Sequence, residues 1–204
     1  NMRKGDHDLS KPERLSSCGR PTPWVHLALM GDDGKPAAEG EPGEICIRGP
    51  LIMKGYKDMP EQTAEAFEGG WLHTGDVGRL DEDGFLYIVD RTKDMIVTGG
   101  VNVFPREVED VLATHEAVGQ VVVIGVPDEQ WGESVKAVVV LKPGVEESDV
   151  LEAQLQALVK DKKGSVQAPK SVDFVAGIPL TPVGKPDKKA VKAQYWEGAA
   201  RSVG

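Results

Sequence analysis

Four short segments of the chain combine residue types and spacings that suit chemistry on a polar small molecule. In His73-Thr74-Gly75-Asp76 a glycine puts a carboxylate on a tight turn. An ionised carboxylate accepts two hydrogen bonds and so matches a pair of vicinal hydroxyls. Asp90-Arg91-Thr92-Lys93-Asp94 packs four charges into five residues, directly after an apolar run. A planar guanidinium such as Arg91 suits directed recognition, whereas an exposed Lys93 can change backbone angle without breaking a core contact. In Thr98-Gly99-Gly100-Val101-Asn102 paired glycines allow positive φ and the close approach of a thin ligand or another backbone. Pro179-Leu180-Thr181-Pro182-Val183-Gly184-Lys185 is a stiff loop that presents one lysine, a compact cation on a long stem. Such a cation stabilises negative charge that develops in a transition state.

The elements that must hold these segments read as two unequal pieces. Residues 1–90 are β-rich: short strands at 44–48 and 85–89 lie among turn signals at 31–36, 39–44, 48–50 and 81–84. Little helix is expected there, and the polar first 18 residues read as the cut end of a longer chain. Asn1 before Met2 reads as a tag remnant. Residues 91–204 change period. A helix begins at Pro105 with Val108, Val111 and Leu112 on one face. Strands follow at 121–126 and 135–141. Ser148 caps a helix to about Lys162 whose apolar side holds Val150, Leu151, Leu155, Leu158 and Val159. A strand at 170–175 and a helix at 187–196 complete a compact α+β domain.

Composition narrows the function classes. The 204 residues carry a net charge of −9, with 40% hydrophobic residues. Residues 1–90 hold 10 basic and 17 acidic side chains, and 91–204 hold 14 and 16. That balance argues against nucleic acid as partner, which needs a basic footprint. No apolar run approaches the roughly 20 residues of a membrane span. Cys18 and Cys46 have no metal-like spacing, so reduced thiols in a cytoplasmic protein are expected. His26 and His115 lack partners at ligand spacing, Trp71 and Trp131 read as packing residues, and Cys46 reads as a small core residue.

The four segments, in this order and at these spacings, resemble the adenylate-forming superfamily of acyl-CoA synthetases, peptide-synthetase adenylation domains and luciferase. The resemblance covers nearly the whole chain from Cys18-Gly19-Arg20-Pro21 onward. It implies the last part of the large N-terminal domain (1–90, truncated) followed by the small mobile C-terminal domain (91–204). It also implies activation of a carboxylic acid with ATP to acyl-AMP, then transfer to a thiol, the small domain taking a different orientation in each step. Carried over residue by residue, Lys185 is the catalytic lysine of adenylation, Asp76 and Arg91 bind the nucleotide ribose, and Lys93 is the hinge. Gly99 and Gly100 lie beside the pantetheine of coenzyme A. Pro186 departs mildly from family patterns with an aliphatic residue there.

The expected parent is an AMP-forming acyl-CoA synthetase acting on a carboxylic, by resemblance fatty, acid. Its cofactors are ATP/AMP and magnesium, no magnesium ligand falling within these residues. Coenzyme A is the expected cosubstrate, and the missing N-terminal portion is a partner in the same protein. One alternative is an acyl-AMP ligase or peptide-synthetase adenylation domain that serves a carrier protein. A second is a non-catalytic binding module reusing the fold. The 204 residues alone are expected to lack ligase activity, because the phosphate loop and acyl pocket would lie upstream.

Overall fold

A computed structural model describes residues 1–197. The chain divides into two compact units, Asn1–Lys93 and a second that begins at Asp94. The division falls just beyond Asp90, because the last strand of the first unit runs on through Arg91.

The first unit is an antiparallel meander of four strands in the order β1 (His26–Met30), β2 (Gly43–Arg48), β3 (Leu72–Leu80) and β4 (Leu86–Arg91). Ile45 and Cys46, consecutive on β2 beside a register shift between Glu44 and Cys46, are both buried, as are Val77, Phe85, Tyr87 and Val89. One α-helix, α1 (Pro60–Ala66), interrupts the strands where little helix was expected. It buries no residue of its own, so it leaves no amphipathic signature, and Pro60 at its first turn is its one sequence mark.

The second unit is a sheet of β5 (Ile96–Thr98), β6 (Val101–Val103), β7 (Val118–Asp128), β8 (Gly132–Leu141) and β9 (Ser171–Phe174). Strand order is β6-β5-β8-β7, with β9 parallel to β8 and all other pairs antiparallel. The continuous apolar run of β7 has a simple cause: both faces are covered. Val123, with Val135, Ala137 and Val139 of β8, packs against α2 (Pro105–Leu112) and α3 (Asp149–Lys163). Val122, Ile124 and Val126 face the other way, toward Ile178 and Val191 of α4 (Lys188–Trp196). The architecture is α+β, as expected.

The helix termini follow local chemistry. The Ser148 hydroxyl accepts from the Leu151 amide at 3.2 Å, and Gly164 at φ 87° ends α3. Val150, placed above on the apolar side, is instead 67% exposed, while Leu151, Leu155 and Val159 are buried. A residue in the first turn, one position off the buried stripe, has nothing to pack on. Leu155 is fully buried. Leu155→Ala is expected to lower unfolding free energy by about 2–5 kcal/mol, read from a urea titration.

Helix α4 buries one apolar residue and is held mainly by polar contacts. Lys188 pairs with Glu109 at 2.9 Å, Lys192 with Glu133 at 2.8 Å, and the Trp196 indole N–H donates to the Gly125 carbonyl at 3.0 Å. Tyr195 donates to Asp173 at 2.7 Å, and Lys136 donates to the other oxygen at 2.6 Å. Burial alone raises the Asp173 pKa, but these two bonds outweigh it and hold the carboxyl below its ordinary 3.8. The Tyr195 hydroxyl is pushed up to about 12, first by burial and then by its bond to Asp173.

A depressed carboxylate stabilises the fold above its unfolded pKa and loses that contribution as pH falls through the lower folded value. Stability of the chain is therefore expected to decline below about pH 3.8, and Asp173→Asn to make that decline shallower. Urea midpoints measured across the acid range check this. Among the described residues no helix is long and apolar enough to cross a membrane.

Candidate functional site

Each unit holds one group of the singled-out residues. In the first unit Asp76 and Arg91 are direct partners across β3 and β4, with Asp76 Oδ1 3.4 Å from Arg91 Nε. Both side chains are substantially exposed, at 35% and 59%. An exposed pair of this kind adds little stability. Its significance is that a carboxylate and a guanidinium share one solvent-facing spot.

Asp76 is not on a turn. It lies within β3, and the glycine before it, at φ 72°, belongs to an irregular stretch of strand. The register slips between Glu44 and Cys46 on one neighbour, and between Val77 and Gly78 on the other. A glycine with positive φ marks a bulge here, which re-aims a side chain at the sheet surface.

The segment before Asp76 is bonded at every residue to β2 or to itself. Glu44 Oε2 lies 2.7 Å from His73 Nδ1, and its Oε1 accepts from the Gly75 amide at 2.9 Å. Thr74 Oγ1 donates to the Ile45 carbonyl at 2.7 Å and accepts from the Asp76 amide at 3.2 Å. The bond to Glu44 raises the His73 pKa above its ordinary value against an opposing effect of burial. Glu44 was missed in the sequence. Its signal was weak: a carboxylate two residues from Cys46 at the start of a short apolar run. Cys46 is fully buried, as expected, and burial and the Glu44 charge push its thiol up to about 11.

In the second unit, Lys185 sits on a closed loop before α4. The Thr181 amide donates to the Lys185 carbonyl at 2.7 Å, the Lys185 amide to Thr181 Oγ1 at 3.1 Å, and the Gly184 amide to the Thr181 carbonyl at 2.8 Å. Leu180 bridges to Pro186, and Gly184 has φ 78°. The backbone is fixed while the Lys185 side chain stays exposed. Lys188, just after this loop, pairs with Glu109 and is structural. Lys189 is exposed.

Gly99 and Gly100, at φ 57° and 78°, form the two-residue turn of the β5–β6 hairpin. A Cβ on Gly99 would stand 2.7 Å from Cε3 of Trp131, whose carbonyl accepts from the Gly99 amide at 3.0 Å. Trp131 is half exposed, so it flanks this turn instead of filling a core. Lys93 is exposed on a single 3-10 turn, Thr92–Asp94.

Residues 5–57 match the AMP-binding enzyme family, and residues 107–185 match the AMP-binding enzyme C-terminal domain. The chain belongs to the adenylate-forming, AMP-binding enzymes. It is 58% identical over its whole length to the medium/long-chain-fatty-acid–CoA ligase FadD8 of Mycobacterium tuberculosis, of which it covers 36%. It is 38% identical to the fatty acid–[acyl-carrier-protein] ligase ScoC of Streptomyces coeruleorubidus, over 93% of this chain and 36% of that protein. Among solved structures, the amide bond synthetase McbA from Marinactinospora thermotolerans superposes with a TM-score of 0.81 at 43% identity. That match covers 92% of this chain and 37% of McbA. The chain thus spans about a third of the length of the curated adenylate-forming relatives it matches.

Proposed function

We propose that this chain is the C-terminal part of an AMP-forming acid–thiol ligase that activates a fatty acid and transfers it to coenzyme A. The observation that carries this reading is the 58% identity, over every residue of the chain, to a medium/long-chain-fatty-acid–CoA ligase. In the first step an oxygen of the substrate carboxylate attacks the α-phosphorus of ATP, and pyrophosphate leaves. In the second the thiol sulfur attacks the acyl carbon, AMP leaves, and the thiol proton passes to solvent.

Within this scheme the Asp76 carboxylate accepts hydrogen bonds from the two ribose hydroxyls, and Arg91 contacts the same sugar. Lys185 lies against the substrate carboxylate and α-phosphate during adenylation, where negative charge builds up. Gly99 leaves room for Trp131, which any side chain there would strike, and Gly100, where a Cβ would meet nothing within 4 Å, lies beside the pantetheine arm. Lys93, the last residue of the first unit, is the pivot. Magnesium would neutralise charge on the triphosphate when bound, and none of the residues given roles here would hold it.

A carrier-protein acceptor is the second reading, favoured by the likeness to ScoC. Pyrophosphate release and thioester formation by the full-length protein separate the readings. The protein is given a panel of carboxylic acids and either coenzyme A or a phosphopantetheinylated carrier. Fatty acyl-CoA formation is the expected result. Thioester on the carrier alone selects the second reading, and no pyrophosphate release with any acid leaves a non-catalytic module.

A further inference from the structure

Three potential metal ligands, none of them given a role in the ligase chemistry above, converge in the first unit. Glu44 and Cys46 stand on β2, and His73 stands on β3 as the direct partner of Cys46. One donor atom from each, a carboxylate oxygen, Sγ and an imidazole nitrogen, lies within 4.8 Å of the others. Cys46 is fully buried, and the Glu44 and His73 side chains are 22% and 28% exposed. The cluster therefore has a sealed sulfur floor and a partly open mouth.

We propose that Glu44, Cys46 and His73 form a binding site for a single borderline-soft divalent cation of the zinc class. Thiolate, imidazole and carboxylate together form the donor set zinc prefers, and a water completes four-coordination at the open side. The sulfur and nitrogen are already placed. Tetrahedral bonds of ordinary length put a thiolate and an imidazole nitrogen about 3.5 Å apart, and Cys46 Sγ lies 3.4 Å from His73 Nδ1. Glu44 Oε2, at 2.7 Å from the same nitrogen, must withdraw by about 0.7 Å to reach a ligand–ligand spacing. A small rotation of one carboxylate accomplishes that.

Two ligands also have the outer partners that orient metal ligands. His73 Nε2 lies 3.3 Å from the Glu68 carbonyl, which selects the tautomer that leaves Nδ1 free for a metal. Glu44 Oε1 is held by the Gly75 amide, so the carboxylate keeps its anchor when Oε2 turns to a cation. Charge favours occupancy as well. One thiolate and one carboxylate neutralise a divalent ion, so the occupied site places no net charge beside the interior.

Cobalt(II) and zinc titrations of the metal-free 204-residue chain test this, independently of any ligase activity. Cobalt should give a one-to-one complex with thiolate-to-cobalt charge-transfer absorption and tetrahedral d–d bands, and zinc should displace it. The absorption should persist in Cys18→Ser, which removes the exposed thiol. It should vanish in Cys46→Ser, and Glu44→Gln should weaken cobalt binding by on the order of 10-fold or more. Zinc should raise the melting temperature of the native chain and not that of Cys46→Ser. Melting of the metal-free variants shows that they are folded. A charge-transfer band that survives Cys46→Ser, or one absent from the folded native chain, overturns the proposal.

Discussion

In the full-length protein, on the proposed ligase reaction, Lys185→Ala is expected to slow acyl-adenylate formation by on the order of 10²-fold or more. Thioester formation from preformed acyl-adenylate should be largely unchanged. The asymmetry follows from where charge develops. Attack on the α-phosphorus gathers negative charge on the phosphate oxygens, which a placed cation stabilises, whereas attack of a thiol on the acyl carbon does not need that cation. The side chain itself contributes little to the fold. It is exposed, while the loop is closed by backbone bonds between Thr181 and Lys185 and by the anchoring of α4 through Lys188 and Lys192. An exposed substitution of this kind stays within about 0.5 kcal/mol of the native stability. Single-turnover pyrophosphate release and thioester formation separate the two steps. Lys189→Ala, one residue beyond the paired Lys188, is the control and should be silent in both. Equal losses in both half-reactions for Lys185→Ala would remove the residue from its proposed role.

What could be read from the sequence depended on whether a residue's partners are near in the chain or implied by a period. The faces of α2, the Ser148 cap and the apolar strand at 121–126 are written in spacing, and the structure has them. The paired glycines at 99 and 100 required positive φ, and both have it. Gly75 also has positive φ, yet the same local signal meant a bulge within β3 instead of a turn. Only the pairing with β2 and β4 decides between those, and pairing is not local. Helix α1 left no apolar stripe because it buries nothing. Glu44 and His73 were passed over for a related reason. They are 29 residues apart, and neither one alone has a spacing that points to the other. The pairing of Lys188 with Glu109, 79 residues apart, has no local signal either.

Asp76→Ala should act differently from Lys185→Ala, and the contrast tests the division of labour between the two units. A hydrogen bond to a charged group contributes about 1.5–3 kcal/mol, so loss of the ribose contact should raise the KM for ATP by roughly 10–100-fold. Because the ribose of ATP persists in the acyl-adenylate, the lost contact weakens binding in both half-reactions. Uniform binding of this kind raises KM and leaves kcat much less affected. Removing Asp76 also frees Arg91 Nε of its partner 3.4 Å away, but that exposed pair contributes about 0–1 kcal/mol, so the melting temperature should barely move. Glu44→Gln supplies the intermediate case. It keeps an acceptor for the Gly75 amide but loses the charge that holds His73, so it should raise the KM for ATP by less than Asp76→Ala while lowering thermal stability more. Steady-state kinetics in ATP and thermal melts of the three variants measure this directly. An Asp76→Ala enzyme with native KM for ATP and an impaired adenylation rate would instead put Asp76 at the reacting phosphate, where only Lys185 is expected.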